Sequence, residues 1–219
     1  MLQRSARSAR PERPKRGPHV APLADAVERN HELIAEVLVG VGAKRAGVRF
    51  GASRALRILS ERVPELLYPH FDFFAAMLGH DNHILQWNAT ITLANMARVD
   101  REGKIEAVLN RYLDLISGSN MITAANAMRG AAIIGAAKPH LVKRIVPRIM
   151  RVERAEYATP ECRNVAIGHA LRALEELARL LPDRRGVRLF AARQLGNRRA
   201  ATSAKARKFL KSREPNSSR

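Results

Sequence analysis

Two histidines and an aspartate stand together in the stretch His80-Asp81-Asn82-His83, a combination that could hold a metal ion or act in acid-base catalysis. A zinc pair on a helix needs two histidines four residues apart on one face, with a third ligand nearby. His80 and His83 are three residues apart and lie on either side of a predicted turn. Asp81 or Asn82 is well placed to cap a helix that begins near His83. We therefore interpret this stretch as a capped turn that binds no metal.

Trp87, the chain's single tryptophan, follows that turn. Its spacing from Ile84, Ile91 and Ala94 places the four side chains on one arc of a helix. An apolar arc of this kind usually packs into the protein core. We therefore expect Trp87 to be buried and to take no part in a site.

Cys162 and His169 are the remaining pair that could form a nucleophile and its base. Cys162 lies near a predicted helix N-terminus, where the helix dipole can lower a thiol pKa. His169 follows two turns later, about 10.5 Å along the axis, which is too far for a direct contact. We expect Cys162 to be a buried structural thiol. Because the sequence also has no Gly-rich phosphate loop, HExxH motif or nucleophile elbow, it predicts no catalytic residue, metal or cofactor.

Three asparagines recur at an equal spacing: Asn88, Asn126 and Asn164 are 38 residues apart from one to the next. Each lies in the second helix of a predicted helical pair. Their amides could bond the turn of the neighbouring pair as a structural ladder, or they could grip the extended backbone of a partner. Chance spacing is the third interpretation, and the sequence leaves all three open.

The segments that must position these residues are helical. Apolar residues follow one helical face in window after window, as in Ile105, Val108, Leu109, Tyr112, Leu115 and Ile116. Short turns rich in Gly, Asp and Asn separate the windows, and Thr159-Pro160 has the form of an N-cap followed by proline at the first helical position. The predicted helices are 23–41, 48–62, 65–79, 83–98, 104–117, 121–137, 139–154, 161–180 and 187–211, the last broken near Gly196.

These helices fall into repeating pairs. Helices joined by such short turns run antiparallel. Breaks follow the second helix of each pair at Pro64, Asp100 or Arg101, Pro139 and Pro182, in steps of roughly 37, 38 and 43 residues. This period is typical of stacked helical hairpins. The small residues of 124–137 would let neighbouring helix backbones approach closely.

The repeats resemble HEAT repeats over residues 30–181. HEAT repeats have a characteristic second helix, which the segment Val48-Arg49-x-x-Ala52-x-x-Ala55-Leu56 resembles. They also have a first helix bent by proline, which the segment Leu66-Leu67-x-Pro69-x-Phe71 resembles. In the next repeat the family's turn aspartate and small apolar core are matched by Asp81, Leu85, Ala89, Leu93 and Ala94, while Gln86 stands where the family usually has arginine. The resemblance implies an all-α protein, an α-solenoid of about four stacked antiparallel helical hairpins, which in most members serves as a binding surface.

The net charge of +19 is concentrated at the two ends of the chain. Residues 1–18 carry six lysines and arginines against one acidic residue, and residues 182–219 carry twelve against two. We therefore predict three parts: a disordered basic arm over 1–20, the solenoid with its capping helices over 21–195, and a basic, partly helical tail over 196–219.

The tail carries six cations that we predict to bind a polyanion. After an apolar part that docks on the last hairpin, we expect the chain beyond Gly196 to project and to bind DNA or RNA without sequence preference. A solvated tail that only aids solubility is the alternative. The six candidate residues are Arg198, Arg199, Lys205, Arg207, Lys208 and Lys211.

These features favour a non-enzymatic scaffold that presents a helical surface to a protein partner, with basic arms that contact nucleic acid. The alternative is a DNA glycosylase of the HEAT-like alkylation-repair kind, a family that places aromatic and acidic residues together. Trp87 has Thr90 and Ile91, and no acid, at the third and fourth positions beyond it. No apolar stretch is long enough to span a membrane, so we expect no membrane contact and a cytoplasmic location. The sequence does not predict the oligomeric state.

Overall fold

The computed structural model describes residues 20–211, and all the regular structure in this range is helical. The prediction of an all-α protein is therefore confirmed. The predicted basic arm over 1–20 lies outside the described residues, except for Val20. The α-helices are α1 (Val20–Arg29), α2 (Leu33–Gly40), α3 (Ala46–Arg62), α4 (Pro64–Leu67), α5 (Phe71–Ala76), α6 (His83–Met96), α7 (Lys104–Asp114), α8 (Met121–Ala137), α9 (Val142–Met150), α10 (Pro160–Leu177), α11 (Arg185–Arg193) and α12 (Ala200–Lys211).

Two of the predicted helices are divided in the structure, and short 3-10 turns extend several of the others. The helix predicted over 23–41 is divided at Asn30 into α1 and α2. The helix predicted over 65–79 is divided by a 3-10 turn that contains Pro69. The 3-10 turns are Tyr68–His70, Met77–Gly79, Leu115–Ser117, Pro139–Leu141, Arg151–Arg154, Ala178–Leu180 and Gln194–Gly196.

Side-chain caps fix where three of the longer helices begin. Asn82 accepts hydrogen bonds from the backbone N–H groups of Ile84 and Leu85 at 3.0 and 3.3 Å. Asn120 caps α8 in the same way. Thr159 accepts from the N–H of Cys162 at 3.1 Å, ahead of proline at the start of α10. The interpretation of residues 80–83 as a capped turn is thus confirmed, with Asn82 as the cap.

The helices of the described range pack as hairpins. The earlier segments α1 and α2 pack against α3, α4 and α5 against α6, α7 against α8, α9 against α10, and α11 against α12. The second helix of each hairpin also packs against the second helix of the next, in the order α3, α6, α8, α10 and α12. We call these five helices the second-helix row.

Polar contacts between neighbouring hairpins join residues at similar separations in the sequence. Asn95 Nδ2 donates to Ser60 Oγ at 2.9 Å, and Lys138 Nζ donates to the carbonyl of Asp100 at 3.0 Å. Lys205 Nζ donates to the carbonyl of Gly168 at 3.1 Å. These pairs are 35, 38 and 37 residues apart, about one hairpin in each case. The repeat seen in the sequence therefore corresponds to a repeat of contacts.

Asp100 connects two successive hairpins, from Tyr68 in the first to Lys138 at the end of the second. Its carboxylate accepts from the Tyr68 hydroxyl at 2.6 Å and from the backbone N–H groups of Lys104 and Ile105 at 3.0 Å, and it pairs with Lys138 Nζ at 3.2 Å. Desolvation opposes ionisation of this buried group, but the hydrogen bonds from Tyr68, Ile105 and Lys138 outweigh it and hold the Asp100 pKa below its usual value. The buried carboxylate is therefore fully partnered.

The small residues of α8 allow the closest packing in the row. A Cβ atom at Gly130 would lie 1.9 Å from the Tyr112 hydroxyl and 3.0 Å from the Cβ of Ala94. Tyr112 is fully buried, and its hydroxyl donates to the carbonyl of Thr90 at 3.1 Å. Gly130 therefore leaves the space through which Tyr112 reaches α6. The neighbouring α6 is itself buried without interruption from Asn88 to Met96.

The prediction that the chain projects beyond Gly196 is wrong for residues 197–211, and residues 212–219 of the predicted tail lie outside the described residues. Helix α12 packs against both α10 and α11. Its buried residues are Thr202, Ser203, Ala206 and Phe209. The alternating apolar and basic residues of this segment form an amphipathic helix whose apolar side is covered, so residues 200–211 belong to the packed body.

No helix within residues 20–211 combines the length and the apolar character that crossing a lipid bilayer requires.

We predict that Gly130→Ala destabilises the protein by about 1–3 kcal/mol or more, because the added methyl overlaps the Tyr112 hydroxyl. Tyr112→Phe alone should cost about 1 kcal/mol, since it leaves the Thr90 carbonyl without its donor. In the Gly130→Ala background the same change should cost less or restore stability, because it removes the overlapping atom. Denaturant unfolding of the four proteins measures this coupling. Gly51→Ala is the control, because a Cβ there meets no atom within 4 Å.

The packing of α12 predicts that Phe209→Ala lowers stability by about 3–5 kcal/mol, as a large-to-small change in a packed core. Arg207→Ala, an exposed position two residues away, should stay within about 0.5 kcal/mol of the parent. Thermal unfolding followed by circular dichroism compares the two. Equal melting temperatures for both variants would mean that α12 does not stabilise the body.

Candidate functional site

The two histidines of the first candidate site take part in the turn itself. His80 Nδ1 accepts from the backbone N–H of Asn82 at 2.9 Å, and His83 Nδ1 lies 3.3 Å from Gln86 Oε1. Within residues 20–211, no group of three or more His, Cys, Asp or Glu side chains is arranged to hold a metal ion.

Cys162 is half-buried rather than buried as expected. It lies in the first turn of α10, where its Sγ is 3.2 Å from Thr159 Oγ1, the N-cap oxygen. His169 is exposed and points to another part of the surface, described below. The two residues do not meet.

The three asparagines do not form a ladder between hairpins. Asn88 Nδ2 donates to the carbonyl of Ile84 at 3.0 Å, and Asn126 Nδ2 donates to that of Ile122 at 2.9 Å, each within its own helix. Asn164 Nδ2 lies 3.4 Å from Glu161 Oε2, also in its own helix. The equal spacing has one structural consequence, because Asn88 and Asn126 line the same cavity.

That cavity is the first of three that follow the exposed side of the second-helix row. Neighbouring cavities share lining residues: Ile122 and Asn126 belong to the first and second, and Arg172 and Glu176 to the second and third. The lining residues come from second helices, from α3 at one end to α12 at the other, and from the 3-10 turn that follows α10, which contributes Arg179. We call the continuous depression the groove.

The groove has an aromatic end and a cationic end. The aromatic end, between α3, α6 and α8, is lined by Phe50, Arg54, Arg57, Ile84, Trp87, Asn88, Ile122 and Asn126. The middle is lined by Met121, Ile122, Ala125, Asn126, Arg129, Ala132, Ile133, His169, Arg172, Ala173 and Glu176. The cationic end is lined by Leu171, Arg172, Glu175, Glu176, Arg179, Lys205 and Lys208.

The expectation that Trp87 is a core residue is wrong. Trp87 is half-buried in the wall of the groove, and its neighbour on the same arc, Ile84, is 37% exposed. The core side of α6 is formed instead by Leu85 and Ala89 and by the residues beyond them. Because α6 is enclosed on both flanks, it is apolar on most sides, and helical periodicity alone does not tell which apolar side faces the groove.

Positive charge predominates along the groove. Seven cations line it, against the carboxylates of Glu175 and Glu176. Within the described residues, Arg54, Arg129, Arg179 and Lys208 form no ion pair, Arg57 pairs with Glu61 at 3.2 Å, and Arg172 lies 3.9 Å from Glu176. Exposed ion pairs of this kind contribute little to the free energy of folding. The groove therefore offers cations that the fold itself does not neutralise.

The cations of the groove affect one another. Desolvation, followed by the charges of Lys205 and Arg172, holds the pKa of His169 below its usual value. The pKa of Lys205 is also lowered, first by desolvation and then by Arg172 and Arg199. Both shifts have the sign expected where like charges are held close together.

The structure separates the six cations predicted for the tail into three groups. Lys205 and Lys208 line the groove. Arg199 pairs with Glu161, which lowers the pKa of that carboxylate. The other three, Arg198, Arg207 and Lys211, are exposed on the body and do not line the groove cavities. The sequence predicted the positive charge of α12, but not the cations of α8 and α10 that line the same groove. These residues are about one hairpin apart in the chain, so no local pattern joins them.

No protein-family model matches the sequence, and no curated protein is significantly similar to it. Among solved structures, the chain is similar to a crystal structure described as that of an engineered protein, a target of the Northeast Structural Genomics Consortium. The TM-score is 0.53 at 16% sequence identity, and the alignment covers 89% of this chain and 83% of that chain. At this identity the likeness concerns the fold alone.

The position of Trp87 predicts that Trp87→Ala costs clearly less than the ~3–5 kcal/mol typical of a buried large aromatic. As the only tryptophan, its fluorescence reports on the groove directly. Iodide should quench it more strongly than caesium does, because Arg54 and Arg57 attract anions. The preference for iodide should shrink in Arg54→Glu. Fluorescence that neither ion quenches would place the ring in the core.

Proposed function

We propose that the chain is a non-enzymatic binding scaffold, a HEAT-like α-solenoid whose groove binds a polyanionic partner. The observation that carries this proposal is the row of unpaired cations along the exposed side of the second helices. The fold does not require these charges, since Arg54, Arg129 and Arg179 make no ion pair in the described range. A partner that supplies many negative charges would neutralise them.

The solenoid part of the proposal is supported by the contacts between hairpins. Each second helix packs on its neighbours in the row, and the polar contacts join residues about one hairpin apart. Nearest-neighbour stacking of this kind is characteristic of repeat proteins. It also agrees with the resemblance of the sequence to HEAT repeats.

A nucleic-acid backbone is the polyanion that this groove suits best. Neighbouring helices pack about 8–10 Å apart, so five of them extend over roughly 40 Å. Each strand of DNA carries a phosphate every ~3.4 Å, so several phosphates can meet the cations of one groove. Phe50 and Trp87 add exposed aromatic surface at one end, on which a base can stack. These observations support a nucleic-acid contact in the groove rather than in a projecting tail.

A protein partner, which the sequence analysis favours, stays a prediction. The groove also exposes apolar side chains, among them Ile84 and Ile122 at 37% and 47% exposure. An acidic protein surface would use the same cations. The two partners are distinguished below by comparing DNA with an acidic polypeptide.

The enzymatic alternative, a DNA glycosylase of the HEAT-like alkylation-repair kind, gains support from the exposure of Trp87 in a cationic groove. It is disfavoured by the cavity around that ring, which no carboxylate lines. Glu175 and Glu176 lie at the other end, on α10. Release of alkylated bases from DNA by the purified protein, lost in Trp87→Ala, would favour this alternative.

We predict that Arg129→Glu/Arg172→Glu weakens binding of a fluorescein-labelled 20-nucleotide single strand at least about tenfold at low salt, because two phosphate contacts become repulsive. If about five groove cations contact phosphates, log K should fall with log salt at a slope of about −3.5 for the parent and about −2 for the variant. Fluorescence anisotropy between 50 and 300 mM salt measures both.

The control is Lys143→Glu/Arg151→Glu, which makes the same change in net charge at exposed residues of α9 and of the 3-10 turn that follows it. It should keep most of the affinity. Equal losses in both variants would show that overall charge, and not the groove, determines binding. Absence of binding at 50 mM salt would contradict the proposal for nucleic acid, and binding of polyglutamate alone would identify an acidic protein as the partner.

A further inference from the structure

The cationic part of the groove contains a cluster contributed by three helices. Arg129 of α8, His169 and Arg172 of α10, and Lys205 of α12 line the two cavities that meet at Arg172. Arg129 makes no ion pair within the described residues, and Glu176 is the one carboxylate that lines both cavities. The cluster therefore has three permanent cations and a titratable ring around an open space.

Lys205 is held in place rather than extended into solvent. Its Nζ donates to the carbonyl of Gly168 at 3.1 Å, across the interface between α12 and α10. A Cβ atom at Gly168 would lie 2.9 Å from Thr202 Oγ1 and 3.3 Å from Lys205 Nζ. The glycine therefore lets the ammonium group lie directly on α10. A cation fixed in this way loses less side-chain entropy when it binds a ligand.

The surroundings of His169 favour the neutral ring while the groove is empty. Arg172 lies one turn away on the same helix, and Arg129 lines the same cavity from α8. Lys205 lines the adjoining cavity from α12, and its charge acts on the ring. Glu176 opposes these charges, but it lies 3.9 Å from Arg172 and is exposed to solvent. The charges of Lys205 and Arg172 thus oppose protonation of the imidazole, and Arg129 adds a third cation to the same cavity, against one carboxylate that is already paired.

We propose that Arg129, His169, Arg172 and Lys205 bind one phosphodiester group of a nucleic-acid backbone, and that His169 takes up a proton as the phosphate binds. This inference rests on the proposed function. The phosphate supplies the negative charge that the cluster lacks. Its oxygens accept hydrogen bonds from the guanidinium and ammonium groups and from the protonated imidazole.

The direction of the pH effect follows from the charges. Desolvation, followed by Lys205 and Arg172, lowers the pKa of His169 in the free protein, which favours the neutral ring. A bound phosphate raises that pKa, because it favours the imidazolium. Binding is then linked to proton uptake, so affinity increases as the pH falls and the gain is lost as the pH rises through the pKa of the complex. A phosphodiester does not titrate in this range, which leaves the protein as the source of the effect.

The experiment measures binding of the labelled 20-nucleotide single strand to the full chain between pH 5.5 and 8.0 at constant ionic strength. The parent should bind about threefold to tenfold more tightly at pH 5.5 than at pH 8.0, where tenfold corresponds to a full shift of one pKa unit. In His169→Gln the ratio of the affinities at pH 5.5 and pH 8.0 should be smaller than in the parent, because the ring that takes up the proton is missing. His31→Gln, at an exposed histidine on the segment between α1 and α2, should behave like the parent.

A second measurement follows the protonation directly. NMR titration of the His169 ring should give a pKa that rises when the oligonucleotide is added. Binding with the same pH dependence in the parent and in His169→Gln, or a His169 pKa that does not change, would overturn this inference and leave the proposed function intact. Absence of binding at every pH would instead reject the proposed function.

Discussion

The close approach of α8 to its neighbours is the constraint on which the row of helices depends. Gly130 leaves room for the Tyr112 hydroxyl on the side of α6, and a Cβ atom at Gly135 would lie 2.4 Å from Leu177 on α10. A side chain at either position would push a neighbouring helix away. Because a single hairpin cannot bury its own apolar face, a displaced helix would expose the core on both sides. Small residues at the centre of the row therefore keep its two halves in contact.

That packing also explains why the row has a single free side. Each inner second helix contacts a neighbour on either flank and the first helix of its own hairpin behind it. Several polar side chains on these covered sides form hydrogen bonds within their own helix. Thr92, for example, donates to the carbonyl of Asn88 at 2.9 Å. The remaining side is unconstrained by folding, so its composition reflects other requirements. Arginines and lysines on this side cost the fold no packing, which is consistent with the proposed binding function.

Local rules predicted most of the helices and their starts, because they depend on residues close in the sequence. The cap at Asn82 and the Thr159-Pro160 start of α10 are examples. The same rules do not predict contacts between hairpins, because those contacts join residues far apart in the sequence. Trp87 lies on an apolar arc that the sequence could not distinguish from the core side of α6. The charges beyond Gly196 suggested a free tail, since nothing local shows that Ala206 and Phe209 are covered by α10 and α11. The groove itself joins residues from five hairpins and has no signature in any one of them.

The like charges of the cationic cluster oppose the stability of the protein while the groove is empty. Desolvation and neighbouring positive charges lower the pKa values of His169 and Lys205, which means that the charged forms are less favourable in the folded chain than in water. Lys205 is exposed, so water and salt screen much of this repulsion. Some of it persists, because the hydrogen bond to the Gly168 carbonyl prevents the ammonium from moving away. A fold selected for stability alone would place an acid here, as it does where Glu161 meets Arg199. Under the proposed function, an anion in the groove would relieve the same repulsion, and this relief would contribute to the affinity.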